Sequence, residues 1–69
     1  MSHIEVSTDK RFGKPCIRGT RIAVADILEM MADEMSTSEI ISEHPNLTPQ
    51  DIKAALAYAS EHIGKGAAA

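Results

Sequence analysis

Among the side chains able to do chemistry, Cys16 is the single thiol, and Lys14 and Arg18 flank it as a nucleophilic thiolate would require. It sits between Pro15 and Ile17, with no histidine at a fixed spacing, and a free cysteine in such a stretch packs as a small hydrophobe. His3, His44 and His62 lie far apart, none with a Cys, His or carboxylate at a recognised ligand spacing. The hydroxyls at positions 36, 38 and 48 fall where helix caps are needed. Gly13 and Gly19 are too isolated to cradle a phosphate and lack the Gly-Lys-Ser/Thr ending of a phosphate loop. The four methionines at positions 1, 30, 31 and 35 are an initiator and helix-packing residues. No catalytic residue, cofactor, metal or small-molecule substrate is therefore expected, and the chain reads as non-enzymatic.

What remains is a basic decapeptide, Gly13-Lys14-Pro15-Cys16-Ile17-Arg18-Gly19-Thr20-Arg21-Ile22. Pro15 stiffens the entry to a short extended stretch, Gly19 permits a sharp reversal, and the Thr20 hydroxyl is placed to hydrogen-bond the turn. Arg18 and Arg21 are then left to present guanidinium forks, which suit bidentate contacts to phosphate or carboxylate. Lys14, Arg18, Thr20 and Arg21, with Arg11 upstream and Lys53 on a later helix, are the candidate residues for binding a partner or DNA.

Charge points the same way. Five of the seven basic residues fall in the first 21 positions beside only Glu5 and Asp9, a net of +3. The remainder holds two lysines and eight carboxylates, a net of −6. A basic end on an acidic body suits an anionic partner surface.

These residues need elements to position them. His3-Ile4-Glu5-Val6 alternates as a brief strand, 7–13 is turn-rich, 15–18 is extended, and 21–24 returns to an alternating extended pattern. Val24, Ile27, Leu28, Met31 and Met35 then recur at helical spacing, predicting a helix over 24–34. Ser36 and Glu39 form a capping box for a second helix over 37–43, with Ile40 and Ile41 buried. Thr48 as N-cap and Pro49 at the first helical position open a third helix, its apolar stripe made of Ile52, Leu56, Ala59 and Ile63. Gly64 stops it, and 64–69 reads as a flexible C-terminal tail.

With 69 residues, 43% of them hydrophobic, no Trp, and Phe12 and Tyr58 as the aromatics, the chain is a single small domain over 1–63 with an aliphatic core. So small a core favours completion by a homodimer or another partner. One cysteine excludes an intramolecular disulfide, no apolar run is long enough to span a membrane, and the N-terminal residues lack the apolar segment of a signal peptide. A soluble cytoplasmic protein with no membrane contact is expected.

The decapeptide, taken with Leu47-Thr48-Pro49-Gln50-Asp51-Ile52-Lys53-Ala54-Ala55-Leu56-Ala57-Tyr58-Ala59, resembles the bacterial domain-of-unknown-function family number 433 over about residues 3–63. That family shows a G-K-P-x-I-x-G-T-R-I core and an L-T-x-x-D-I-x-x-A-L-x-Y-A ending. The resemblance implies a mainly α fold: a short N-terminal β element followed by a three-helix, homeodomain-like helix-turn-helix bundle, often homodimeric. It also implies a VapB-like antitoxin role for some members, beside a PIN-like nuclease toxin. One departure is Glu34, where the family often has glycine; if that position needs φ > 0, glutamate costs roughly 1 kcal/mol or more. The leading expectation is an antitoxin or adaptor that binds a PIN-like toxin and also its own promoter DNA. A helix-turn-helix transcriptional regulator and a plain interaction module are the alternatives. The acidic residues Asp51 and Glu61 on the third helix argue against base readout by that helix.

Overall fold

The computed structural model describes residues 3–6 and 13–63, so the turn-rich 7–12 segment, the expected tail over 64–69 and the candidate residue Arg11 lie outside the described residues. The chain runs β1 (Ile4–Val6), β2 (Pro15–Ile17), α1 (Val24–Ala32), α2 (Thr37–Glu43) and α3 (Pro49–Ile63). It is mainly helical with a short two-stranded antiparallel sheet, as expected from the sequence.

β1 and β2 pair with Ile4 opposite Ile17, Glu5 opposite Cys16 and Val6 opposite Pro15. Pro15 stands at the first position of its strand, where its missing N–H costs least. The expected extended stretch at 21–24 is reduced to one antiparallel bridge between Cys16 and Ala23. It goes no further because α1 begins at once: the Asp26 carboxylate accepts the Ala23 N–H at 3.0 Å, while Ala23 offers no side-chain acceptor of its own. Cys16 is fully buried between these two neighbours.

The core joins Ile17 to Val24, Ile27, Ile40, Leu47, Ile52 and Ala55, with Leu28, Met30, Met31, Met35 and Tyr58 packed around it. It is aliphatic, as the composition requires. α1 stops at Ala32, two residues before the expected end, and closes in a Schellman motif. Met35 N–H reaches Met30 O at 3.1 Å, and Glu34 N–H reaches Met31 O at 3.0 Å. Met30 and Met35, brought together by this motif, both pack on the core. Its left-handed position is Glu34, at φ 67°. The non-glycine residue therefore sits in the conformation that glycine adopts freely.

α2 is too short to be stable alone. Its capping box forms as expected, Glu39 N–H to Ser36 Oγ at 3.1 Å and Ser36 N–H to Glu39 Oε1 at 2.7 Å. Ile40 is its buried anchor, whereas Ile41 is only half-buried. The α3 stripe differs from the expected one. Ile52 and Ala55 are buried, but Leu56 is 41% and Ile63 72% exposed. α3 packs chiefly on α1, and it is the small Ala55 that turns inward. Leu56 lies ~100° further round the helix, and Ile63 falls two turns beyond Ala55, where the core has ended.

Replacing Glu34 by glycine is expected to relieve the left-handed strain, offset in part by the greater freedom of glycine in the unfolded chain. A net gain of about 0.5–1 kcal/mol follows, or a melting temperature raised by a few degrees in a domain this small. A thermal melt followed by circular dichroism checks this; an unchanged or lower melting temperature contradicts it.

Candidate functional site

The turn from Ile17 to Ile22 is closed by its two end residues together with Gly19 and Thr20. Gly19 takes φ 81°, and a Cβ added there would meet nothing within 4 Å, so glycine serves the backbone conformation and not a close approach within the chain. Thr20 N–H donates to Ile17 O at 3.0 Å, and the Thr20 hydroxyl donates to the same carbonyl at 2.9 Å. That hydroxyl also accepts the Ile22 N–H at 3.0 Å, while Ile17 N–H donates to Ile22 O at 2.9 Å. The turn is thereby tied across its neck and through its middle.

Arg18 and Arg21 lie on this turn with exposed side chains. Thr20 is half-buried and holds the loop; it is a positioning residue. Lys14 is exposed at the far end of β2, about 13 Å of extended chain from Arg18. Its backbone carbonyl takes the Cys16 thiol at 3.4 Å. Lys53 is exposed on α3, ~160° round that helix from Asp51. Of the candidates, Arg18, Thr20 and Arg21 are thus brought together, Lys14 stands at the opposite end of the same strand, and Lys53 is on a separate element.

His3 joins the turn to α3, a link with no local signal in the sequence because its partners are 15 and 48 residues away. Its carbonyl accepts the Arg18 N–H at 2.7 Å, and its imidazole Nδ1–H donates to Asp51 Oδ1 at 2.8 Å. Asp51 is the third residue of α3 and completes that helix's cap. Thr48 N–H reaches Asp51 Oδ2 at 3.1 Å, and Asp51 N–H reaches Thr48 Oγ1 at 3.2 Å. Burial of the Asp51 side chain, which is 13% exposed, would by itself raise its pKa. The hydrogen bonds from His3 and from the Thr48 amide and hydroxyl outweigh this, so its pKa lies below the ordinary 3.8. Further along α3, His62 stacks on Tyr58 with ring centroids 3.8 Å apart, and its Nδ1–H donates to the Tyr58 carbonyl at 2.9 Å. Among the described residues, no three His, Cys, Asp or Glu side chains gather as a metal-holding group, and no helix is long and apolar enough to cross a membrane.

A family model described as Protein of unknown function (DUF433) matches residues 4–59. Among solved structures, the crystal structure of a DUF433 member protein from Anabaena variabilis ATCC 29413 matches with a TM-score of 0.85 at 26% identity, over 88% of this chain and 60% of that one. This chain therefore spans 60% of that protein's length. No curated protein matches.

Thr20→Val keeps the shape of the side chain and removes the hydroxyl that both donates and accepts. It is expected to lower stability by about 1–2 kcal/mol, read by urea denaturation, because the Ile22 N–H loses its partner. A change within error would contradict the structural role given to Thr20.

A second expectation concerns acid. Because the folded state holds Asp51 below its unfolded value, its contribution to stability is present above about pH 4 and is lost as pH falls through the lowered folded value. The urea midpoint is expected to drop on acidification below pH ~4, less steeply in Asp51→Asn than in the parent. Identical acid limbs in the two proteins would contradict this.

Proposed function

The chain belongs to the family described as Protein of unknown function (DUF433), and on that premise we propose that it is a non-catalytic, antitoxin-like protein that binds and neutralises a PIN-like nuclease. The observation that carries this reading is the closed turn that carries both Arg18 and Arg21 at exposed positions. Nucleases that work with divalent metals gather carboxylates to bind them. A guanidinium seated among those carboxylates forms charge-assisted, bidentate hydrogen bonds in the place of the metal or the substrate phosphate. A turn already fixed by Thr20 has little backbone freedom left to lose on binding, which favours affinity. Lys14, and Arg11 upstream, extend the same positive charge along the chain.

The same surface supports promoter binding as a second property. α2 and α3, joined through 44–48 and preceded by α1, have the order of a helix-turn-helix unit. α3 carries Lys53 but also Asp51 and Glu61. DNA contact in this reading therefore falls to the basic N-terminal segment of a homodimer, with phosphates as its targets and a steep loss of affinity in salt. The site of action is the cytoplasm.

The test is capture by the tagged chain from its source lysate after nuclease treatment, read by mass spectrometry. Recovery of one small nuclease in stoichiometric amount is expected, and Arg18→Ala with Arg21→Ala should abolish it while the variant keeps a cooperative melt. Undiminished capture by that double variant would end the reading.

A further inference from the structure

A separate surface is formed where β2 begins. Pro15, Val24, Leu28, Tyr58, Ala59 and Ile63 line an open groove of about 330 Å³ between the strand's entry and the helices α1 and α3. That volume is within the range of sites that hold ligand groups. Its depth comes from small residues, Ala23, Ala25 and Ala59, set among larger ones. Ile63 forms one wall although it is 72% exposed, a large apolar side chain kept in water at the end of α3. The groove's charged lining residue is Lys14, whose exposed ammonium has no carboxylate partner among the described residues. An aliphatic stem against the wall with its charge at the lip is the usual disposition of a lysine beside apolar surface.

We propose that this groove docks an amphipathic helix of a partner protein, with two apolar side chains at i and i+4 entering it and a flanking carboxylate meeting Lys14. Charge complementarity selects an acidic partner: an apolar groove whose lining includes the exposed Lys14 pairs with an apolar stripe edged by Asp or Glu. The backbone selects a helix. Cys16 in the middle of β2 is paired on both sides, to Glu5 and to Ala23, so the strand has no free ladder for an extended peptide to join. The walls are side chains of α1 and α3, the setting in which helix-in-groove recognition operates. The groove is a different surface from the arginine turn; Lys14 is common to the two readings, and the Arg18→Ala with Arg21→Ala variant separates them.

The experiment is selection of short helical peptides from a displayed library on the immobilised full chain, followed by affinity measurement. A consensus of apolar residues at i and i+4 with adjacent Asp or Glu is expected. Lys14→Glu should convert the adjacent preference to Lys or Arg, an effect that mere structural support by Lys14 would not produce. Ile63→Asp, a change at an exposed position, should weaken the selected peptides at least about tenfold. Arg18→Ala with Arg21→Ala should leave them bound as before. The proposal is overturned by the absence of binders, by a consensus without acidic bias, or by a preference that Lys14→Glu does not move. Sedimentation showing a dimer that Ile63→Asp dissolves would equally overturn it, because the occupant would then be a second copy.

Discussion

The Thr20 hydroxyl is the point on which the rest of the structure turns. By donating to the Ile17 carbonyl and accepting from the Ile22 amide, it fixes the reversal that sends the chain from β2 back to Ala23 and into α1. Gly19 makes the reversal sterically open, and Thr20 makes it single-valued. Without that closure, the Cys16–Ala23 bridge keeps its register only through the backbone bonds from Ile17 N–H to Ile22 O and from Thr20 N–H to Ile17 O. Ile17 and Val24, on either side of the turn, enter the core together. Arg18 and Arg21 stand on the turn that these hydrogen bonds close, so the backbone that carries them is set by the same bonds.

His3 extends this constraint to the first turn of α3. One residue accepts from the arginine turn through its carbonyl and donates to the α3 cap through its ring. An exposed hydrogen bond of this kind contributes little by itself. Its consequence is geometric, since it seats β1 between the turn and the first turn of α3. Local caps thus hold every helix start, and one long-range residue joins the cap of α3 to the arginine turn.

What the sequence made legible follows from range. The Ser36–Glu39 and Thr48–Asp51 caps, the Thr20 turn and the positive φ of Gly19 each depend on residues within a few positions, and their chemistry is written in the residue types. Glu34 is the instructive case: the Schellman bonds demand a left-handed residue after α1, and the chain meets that demand with glutamate, a choice that residue preference alone would argue against. Helical periodicity gives angles round an axis but not where the opposing surface stops, so it marks Leu56 and Ile63 as core positions although both are exposed. The His3 link and the apolar groove were illegible for a related reason, as both join residues from opposite ends of the chain. The separation of Lys53 from the arginines was legible, since the helix pattern already puts Lys53 on α3 and the arginines on the β turn.

On this reading the arginine turn is rigid before any partner arrives. Amide hydrogen exchange on the free protein, resolved residue by residue by NMR, tests this most directly. Slow exchange is expected at Ile17, Thr20 and Ile22, whose N–H groups close the turn, with protection comparable to that of the buried α1 amides. Exchange of the Thr20 and Ile22 amides at unfolded-chain rates, while α1 stays protected, would show a turn that forms only on binding and would contradict the account.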